Sequence, residues 1–505
     1  MHVHEYQQYD ATGLAALIRG GQVSREEVLE AALVAIEQAN PALQAVVRMR
    51  VEQARRESQQ VESSACFAGV PTFSKDLLMA LKGEPLAFGC AALRDWRPAE
   101  DSLFIQRSRR AGLVVVGQTA TPELGLMGIT EPKAFAHPEN PWRAGYSPGG
   151  SSGGAAAAVA GGMVPLALAG DGGGSIRIPA SYCGLFGFKP SRGRVPLAPA
   201  HGEVWQGAVV EHAITRSVRD SAALLEEVNG MAPSGPYPVL AERGYVEALS
   251  KPCPPLRVAI SLGEPLGRSV GTRLNPEVTT AIEKTAQRLE EMGHTVAWCD
   301  PPVDGEALAD SYLTLYLGHL AADLRWISQQ TGVPLGRLPL EPSTRAIGRL
   351  GAKLSAWEYE TAKRYWHVAA EQMSQFHQRH DVLVLPVAAD TAPKLGELYP
   401  SALRERLMAL LAVPGLPALA LKAGLLKRLA VDALSRTPFT QLANLTGQPA
   451  MSLPMHVAQS GLPVGVQVVG RLGEDRQLLQ LAAALEQQEN WQARLPRQAF
   501  AAQAG

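Results

Sequence analysis

Cysteine is scarce in this sequence of 505 residues, and the five cysteines are widely spaced. They are Cys66, Cys90, Cys183, Cys253 and Cys299, and none forms a Cys-x-x-Cys pair. This odd number and this spacing argue against a disulfide framework and against a cysteine-based zinc cluster. The eleven histidines include no His-Glu-x-x-His motif, and no phosphate-binding glycine loop occurs. The sequence therefore predicts neither a metal nor a cofactor.

An excess of charge of either sign is also missing. Lys and Arg number 47 against 48 Asp and Glu, which gives a net charge of -1. Because no strong field favours nucleic acid or an anionic membrane, small neutral molecules are the expected partners. No uncharged apolar run of about 18 residues predicts a membrane span, and no secretion signal is apparent at the N-terminus. These features favour a cytoplasmic protein.

Strand-like and helix-like segments alternate along the chain, which predicts an α/β fold with one sheet covered by helices. Ser24 and Glu27 form a capping box ahead of an apolar helical pattern, and Asn275 and Pro276 begin another helix that ends before Gly293. The predicted strands are short apolar runs at 112–119, 164–171 and 256–262, and a closing hairpin at 452–470 turns at Ser460-Gly461.

Two glycine- and serine-rich segments stand out, GYSPGGSSGGAAAAVAGG at 145–162 and GDGGGSIRIP at 170–179. The first runs directly into small apolar residues suited to close packing, which argues against a flexible linker. It contains a G-x-S-x-G match at 145–149, but Pro148 has no N–H to offer an oxyanion and no buried strand precedes it. We therefore interpret this match as accidental.

The second segment places three glycines immediately before Ser175. Their backbone N–H groups predict an oxyanion hole around a carbonyl that Ser175 attacks, although a helix N-cap or turn role for Ser175 is equally compatible with the sequence. Asp171 and Arg177 flank this turn and are predicted to form a structural ion pair.

A serine nucleophile needs a base, and neither segment has a histidine nearby. If residues 70–77 are extended, Lys75 shares one face with Pro71, Phe73 and Leu77. Burial there would favour the neutral amine, which can accept a proton. A surface lysine at a strand end is the alternative that these residues leave open.

Three segments in this order, GVPTFSKD, NPWRAGYSPGGSSGG and GDGGGSIRIPASYCGLFGFKPSRGRVP, resemble the amidase signature family. The likeness covers about residues 10–220 and returns from TPFTQLANLTGQPAMSLPM to GLPVGVQVVG. It implies a Ser-cisSer-Lys triad in which Ser175 is the nucleophile, Ser151 the bridging serine after a cis peptide bond, and Lys75 the base. It further implies an oxyanion hole at Gly172, Gly173, Gly174 and Ser175, and substrate contacts at Gly125, Ser151 and Gly172.

The same resemblance implies a single large domain over residues 1–505 with a central mixed, mostly parallel sheet. Residues 65–200 are then the catalytic core and 225–435 the variable substrate-pocket and cap region. The apolar segment 403–434 is expected to form a cap, with ordinary core packing as the alternative. Gly170 and Gly172 stand where threonine is common in the family, so hydroxyl support is lost there.

The implied function is hydrolysis of a small-molecule carboxamide to a carboxylate and an amine or ammonia, as in broad bacterial amidases and 6-aminohexanoate cyclic-dimer hydrolases. Two other functions remain open: a glutaminase subunit of a tRNA-dependent amidotransferase, and a hydrolase of cyclic oligoamides. A thiol mechanism using Cys183 and Lys189 is a further alternative, although Cys183 is predicted to be a buried structural residue. A homodimer is left open.

Overall fold

The computed structural model describes residues 1–267, 271–399, 401, 408, 416–417 and 434–496. Nearly all of the segment 403–434, with its expected cap, lies outside the described residues. The strands are β1 Val46–Met49, β2 Pro71–Lys75, β3 Val114–Thr119, β4 Leu166–Asp171, β5 Phe186–Lys189, β6 Val210–Thr215, β7 Arg257–Ile260, β8 Thr295–Trp298, β9 Val382–Pro386, β10 Ala450–Val457 and β11 Pro463–Gly470. The helices are α1 Val3–Tyr6, α2 Ala11–Arg19, α3 Arg25–Leu43, α4 Val51–Gln60, α5 Leu103–Arg110, α6 Gly153–Ala160, α7 Arg177–Cys183, α8 Val218–Val228, α9 Tyr245–Ala248, α10 Pro276–Glu291, α11 Gly305–Thr331, α12 Pro342–Gly351, α13 Ala356–Phe376, α14 Gln441–Thr446 and α15 Asp475–Glu489.

The main sheet has eight strands in the order β4-β6-β5-β10-β11-β9-β7-β8, and a smaller sheet has the order β1-β3-β2. The predicted α/β fold with a mixed central sheet is confirmed, but the expectations of one sheet and of mostly parallel strands are wrong. All neighbours from β4 to β9 are antiparallel, and only β9–β7 and β7–β8 are parallel among the described strands of the main sheet. Parallel neighbours need a long crossover, which α10 supplies between β7 and β8, whereas β10 and β11 are joined by a tight turn.

The local sequence signals correspond to the observed ends of the elements. Ser24 and Glu27 form the reciprocal capping box of α3, and the Asn275 side chain accepts a hydrogen bond from the Glu277 N–H at the start of α10. The hairpin β10–β11 turns through Gly461, whose φ is +80°. These predictions are confirmed.

Helix α6 determines where the two sheets meet. All of its residues from Gly153 to Ala160 are buried, and it packs against β2, β3, β4 and β6. Its alanines and glycines allow this approach, because a Cβ on Gly154 would lie 2.4 Å from the backbone N of Ala120. The start of α6 is thereby held beside the ends of β2 and β4.

Among the described helices, none combines the length and the apolar character that a membrane crossing requires.

Candidate active site

Lys75 is the last residue of β2 and is almost completely buried, with 1% of its surface exposed. Its Nζ donates a hydrogen bond of 2.7 Å to Ser151 Oγ. Burial lowers the pKa of Lys75 to about 7, although the nearby charges of Asp171 and Glu211 raise it. A substantial fraction of this side chain is therefore a neutral amine near neutral pH. The alternative of a surface lysine is wrong.

Ser151 lies just before α6, and the peptide bond between Gly150 and Ser151 is cis. Gly150 presses against the chain at Ile129, because a Cβ there would lie 2.6 Å from the Ile129 carbonyl atoms. The next residue, Ser152, donates from Oγ to the Gly170 carbonyl at 3.2 Å and from its N–H to the Ser175 carbonyl at 3.3 Å. These bonds join the two glycine-rich segments into one site.

Ser175 is partly exposed in the loop between β4 and α7, and this loop is organised by the carboxylate of Asp171. Asp171 Oδ1 accepts a hydrogen bond from the Gly174 N–H at 2.7 Å, and Oδ2 accepts one from the Ile176 N–H at 3.2 Å. Because the two bonds bracket Ser175, the loop cannot open without breaking a buried polar contact.

Arg177 holds Asp171 in place through two hydrogen bonds of 2.9 Å, and both side chains are fully buried. Burial opposes ionisation of Asp171, but the charge and hydrogen bonds of Arg177 outweigh it and hold the pKa well below its usual range. Arg177 also donates to the Thr440 carbonyl at 2.8 Å and to the side chains of Gln467 and Asn444. The predicted structural ion pair is confirmed.

The predicted oxyanion donors do not all face the same space. Gly172, Gly173 and Ser175 line the cavity, whereas Gly174 is buried and its N–H is engaged by Asp171. The expectation for Gly174 is therefore wrong, because this amide closes the loop instead of facing a substrate. Its φ of +123° is one that glycine adopts easily, and a Cβ there would lie 2.3 Å from Thr440 Oγ1.

A cavity of about 500 Å³ opens in front of these residues. Lys75, Ser151 and Ser175 line it, together with the predicted substrate contacts Gly125 and Gly172. A Cβ on Gly125 would lie 3.4 Å from Ser151 Oγ, which places this glycine directly beside the bridging serine.

Aromatic and aliphatic side chains form most of the remaining wall, and sequence reasoning did not identify them. One group joins Trp205 to Tyr316, with ring centroids 5.4 Å apart, and a second stacks Phe88 on Trp326 at 5.8 Å. Tyr312 and Tyr316, four residues apart, come from one face of α11, so this helical spacing of aromatics was the available signal.

The rival nucleophiles lie away from the reacting groups. Cys183 is fully buried, burial raises the pKa of its thiol, and its Sγ contacts the Pro148 carbonyl at 3.6 Å. Lys189 directs its Nζ to the Pro190 carbonyl at 2.9 Å. Ser147 Oγ accepts a hydrogen bond from the Gly149 N–H in a turn. The predicted structural role of Cys183 is confirmed.

Comparison with known proteins agrees with this geometry. A profile of the Amidase family matches residues 27–479. The 6-aminohexanoate-cyclic-dimer hydrolase of Pseudomonas sp. (strain NK87) is 35% identical over 497 residues, which cover 96% of this chain and 96% of that protein. The lipoamidase of Enterococcus faecalis is 34% identical over 491 residues, which cover 95% of this chain and 63% of that protein.

A solved structure of a 6-aminohexanoate cyclic dimer hydrolase complexed with substrate is similar over 97% of this chain and 99% of that chain. The TM-score is 0.87 at 34% sequence identity. The chain therefore belongs to the amidase family, and the reaction it catalyses is the hydrolysis of an amide C–N bond.

Proposed function

We propose that the chain hydrolyses amides through an acyl-enzyme on Ser175, with Ser151 as the proton relay and Lys75 as the base. The observation that carries this proposal is the 2.7 Å hydrogen bond from a fully buried lysine to Ser151, in a cavity that Ser175 also lines. A buried amine with a pKa of about 7 is matched to proton transfer near neutral pH.

In the first step Ser175 Oγ attacks the amide carbonyl, and its proton passes through Ser151 Oγ to Lys75 Nζ. The N–H groups of Gly172, Gly173 and Ser175 are proposed to stabilise the oxyanion, which is the place where charge develops. The proton then returns by the same route to the leaving nitrogen, and the amine departs. Water cleaves the acyl-enzyme and releases the carboxylate.

The substrate class is proposed to be amides with sizeable apolar parts, including cyclic oligoamides. Trp205, Tyr312 and Tyr316 are close enough to contact one another, and the cavity of about 500 Å³ is large for an acetamide-sized molecule. The similarity to a cyclic-dimer hydrolase supports the same class.

Residues 65–200 are proposed as the catalytic core and 225–435 as the region that determines the pocket. In support, Lys75, Ser151 and Ser175 lie in the first range, and the cavity-lining part of α11 lies in the second. The five cysteines are free, which fits the proposed cytoplasmic location, and a homodimer stays a prediction.

The proposed nucleophile is tested by Ser175→Ala. This variant should lose amidase activity by about 10⁴-fold or more, because the acyl-enzyme can no longer form. The matched control is Cys183→Ala, which removes a buried thiol that does not line the cavity and should retain most activity. Turnover by a folded Ser175→Ala protein would refute the assignment.

A panel of primary, aryl, cyclic and long-chain amides tests the substrate class in steady-state kinetics. We expect kcat/KM to be higher for cyclic and long-chain amides than for acetamide, because they fill more of the apolar wall. Glutaminase activity that depends on partner subunits, with no turnover of the apolar amides, would instead favour the amidotransferase-subunit alternative.

A further inference from the structure

Glu211 on β6 is a buried carboxyl group to which the proposed reaction sequence gives no role. Its side chain lines the cavity, the residue is 1% exposed, and neither carboxyl oxygen has a hydrogen-bond partner among the described residues. Burial of an ionised carboxyl group without a hydrogen-bond partner destabilises the folded state by on the order of several kcal/mol, because the charge loses its contact with water. The other buried cavity-lining carboxyls Glu123, Glu131 and Glu341 each accept a backbone N–H.

The strand register brings Glu211 to the proposed triad. Glu211 lies directly opposite Gly170 in the antiparallel pair β4–β6, and the Gly170 carbonyl accepts the hydrogen bond from Ser152 Oγ. Ser152 follows the bridging Ser151 in the chain. Lys75, Ser151 and Glu211 line the same cavity, and the charges of Lys75 and Glu211 act on each other.

The other charged groups on the neighbouring elements already have partners of their own, although the charge of Asp171 also acts on Lys75. Asp171 on β4 is bound by two hydrogen bonds from Arg177 on α7, and Lys189 on β5 donates to a backbone carbonyl. The tyrosine that faces this region from α11, Tyr312, has a pKa raised by burial and stays neutral. Of the two carboxyl groups whose charges act on Lys75, Glu211 is therefore the one without a cationic hydrogen-bond partner of its own among the described residues.

We propose that Glu211 is a positioning residue that acts through Lys75, raising the proton affinity of Nζ and supplying the counter-charge when Nζ holds the proton. The proposal rests on the proposed function of Lys75 as the base. In the reactive state Glu211 is a carboxylate and Lys75 an amine, and because the pKa of Glu211 is raised to about 8 this state is populated as the pH rises through about 7 to 8. The proton that leaves Ser175 Oγ reaches Nζ through Ser151 and creates an ammonium beside the carboxylate. The proton later returns to the leaving nitrogen, so Glu211 itself neither gains nor loses one.

The charges of the pair act on each other in the direction that this role requires. Burial raises the pKa of Glu211 to about 8, while the charge of Lys75 lowers it. The charge of Glu211 in turn raises the pKa of Lys75 against the effect of burial. An ammonium formed without a counter-charge in such a place would carry a large desolvation penalty, which the carboxylate reduces.

The test is the pH dependence of kcat/KM and kcat for Glu211→Gln, a variant that keeps shape but removes the charge. Without the carboxylate the pKa of Lys75 falls, so the acid limb should move to lower pH by about one unit. The weaker base should also reduce kcat on the plateau by about tenfold. If Glu211 only filled space, Glu211→Gln would change neither the position of the acid limb nor the value of kcat on the plateau.

The control is Glu486→Gln, which removes a carboxyl group that does not line the cavity and whose pKa burial likewise raises, to about 7. Its acid limb should coincide with that of the parent enzyme. Circular dichroism and melting temperature verify folding. If Glu211→Gln does not fold, Glu211→Asp withdraws the carboxylate by one methylene, and its acid limb should move in the same direction by less.

Labelling by an alkyl fluorophosphonate separates this proposal from the proposed function. The reagent needs an activated serine but no amide and no leaving amine, so its rate against pH reports on the base alone. Labelling at Ser175 with an unmoved acid limb in the Glu211 variants overturns the role of Glu211. Failure to label Ser175 in the parent enzyme overturns the proposed function itself.

Discussion

At the scale of single residues, the reactivity of Lys75 depends on what surrounds one amine nitrogen. Phe73 lies on the same face of β2 and is fully buried, and Ser151 accepts the hydrogen bond from Nζ. Burial alone would make the amine a poor base, since it disfavours the ammonium. The charges of Asp171 and Glu211 limit this effect and hold the pKa of Lys75 at about 7.

This environment predicts a pH dependence of activity and a pattern of variant kinetics. Because Lys75 must be neutral to accept a proton and Glu211 is proposed to be ionised beside it, kcat/KM should rise as pH increases through about 7 to 8. Lys75→Ala and Ser151→Ala should each lower kcat by several orders of magnitude. The kcat of the double variant should be only slightly lower than that of the less active single variant, because the two groups form one relay. Steady-state kinetics across pH measure both expectations.

Losses that multiply in the double variant would mean that Lys75 and Ser151 act independently. An acid limb far below pH 7 in the parent enzyme would mean that another group accepts the proton.

At the scale of elements, the loop between β4 and α7 presents Ser175. Asp171 ends β4 and accepts the N–H groups on both sides of the serine, while Thr440 Oγ1 donates to the Gly173 carbonyl at 2.6 Å. Glycine at position 174 allows the backbone to make this tight turn, because its φ of +123° is unfavourable for other residues. The nearby Gly170 is less constrained, because a Cβ there would have its nearest neighbour, the Val210 carbonyl, at 3.7 Å.

The contrast between these two glycines gives a matched pair of variants. Gly174→Ala should lower the melting temperature, because its Cβ would lie 2.3 Å from Thr440 Oγ1 and its φ is unfavourable for alanine. Activity should fall with it, since the Ser175 loop is displaced. Gly170→Ala should retain the parent melting temperature. Equal melting temperatures for the two variants would contradict this account of the loop.

At the scale of the whole molecule, the site depends on contacts between distant segments. Arg177 joins Asp171 in the loop to the Thr440 carbonyl and to Gln467 of β11. Helix α6 lies between the two sheets and holds Ser151 beside the end of β2. Lys75, Ser151 and Ser175 lie in three separate segments of the chain. They meet in one site because both sheets pack against the buried helix α6.

This dependence predicts that Arg177→Met destabilises the protein by about 3–5 kcal/mol, because Asp171 is left as a buried charge without its partner. Activity should be lost as well, since Asp171 organises the Ser175 loop. Arg55→Met is the control, because Arg55 pairs with Glu30 on an exposed surface. Its midpoint of urea unfolding should remain at the parent value. A small effect of Arg177→Met would show that other contacts hold the loop.

Several features of this protein were determined by the sequence itself. Short-range chemistry defines them: Ser24 and Asn275 cap their helices through neighbours two or three residues away, and a glycine turns the final hairpin. The motif around Lys75, Ser151 and Ser175 also identified the family before any coordinates, because these residue types and this order are specific. Alternation along β2 placed Lys75 on a face with apolar residues but left a surface lysine open, and the structure decides for burial.

Only the tertiary structure decided the strand directions, the Gly174 amide and the position of Glu211. The strand directions and the position of Glu211 depend on contacts between residues far apart in the chain. The Gly174 N–H binds Asp171 three residues away, but Asn444 from a distant segment also binds that carboxylate and helps to orient it. The Gly174 N–H was a plausible oxyanion donor until Asp171 was seen to accept it. Glu211 belongs to none of the sequence motifs, and its place opposite Gly170 follows from the pairing of β4 with β6. Local chemistry therefore determined the reactive groups, while packing determined which atoms they face.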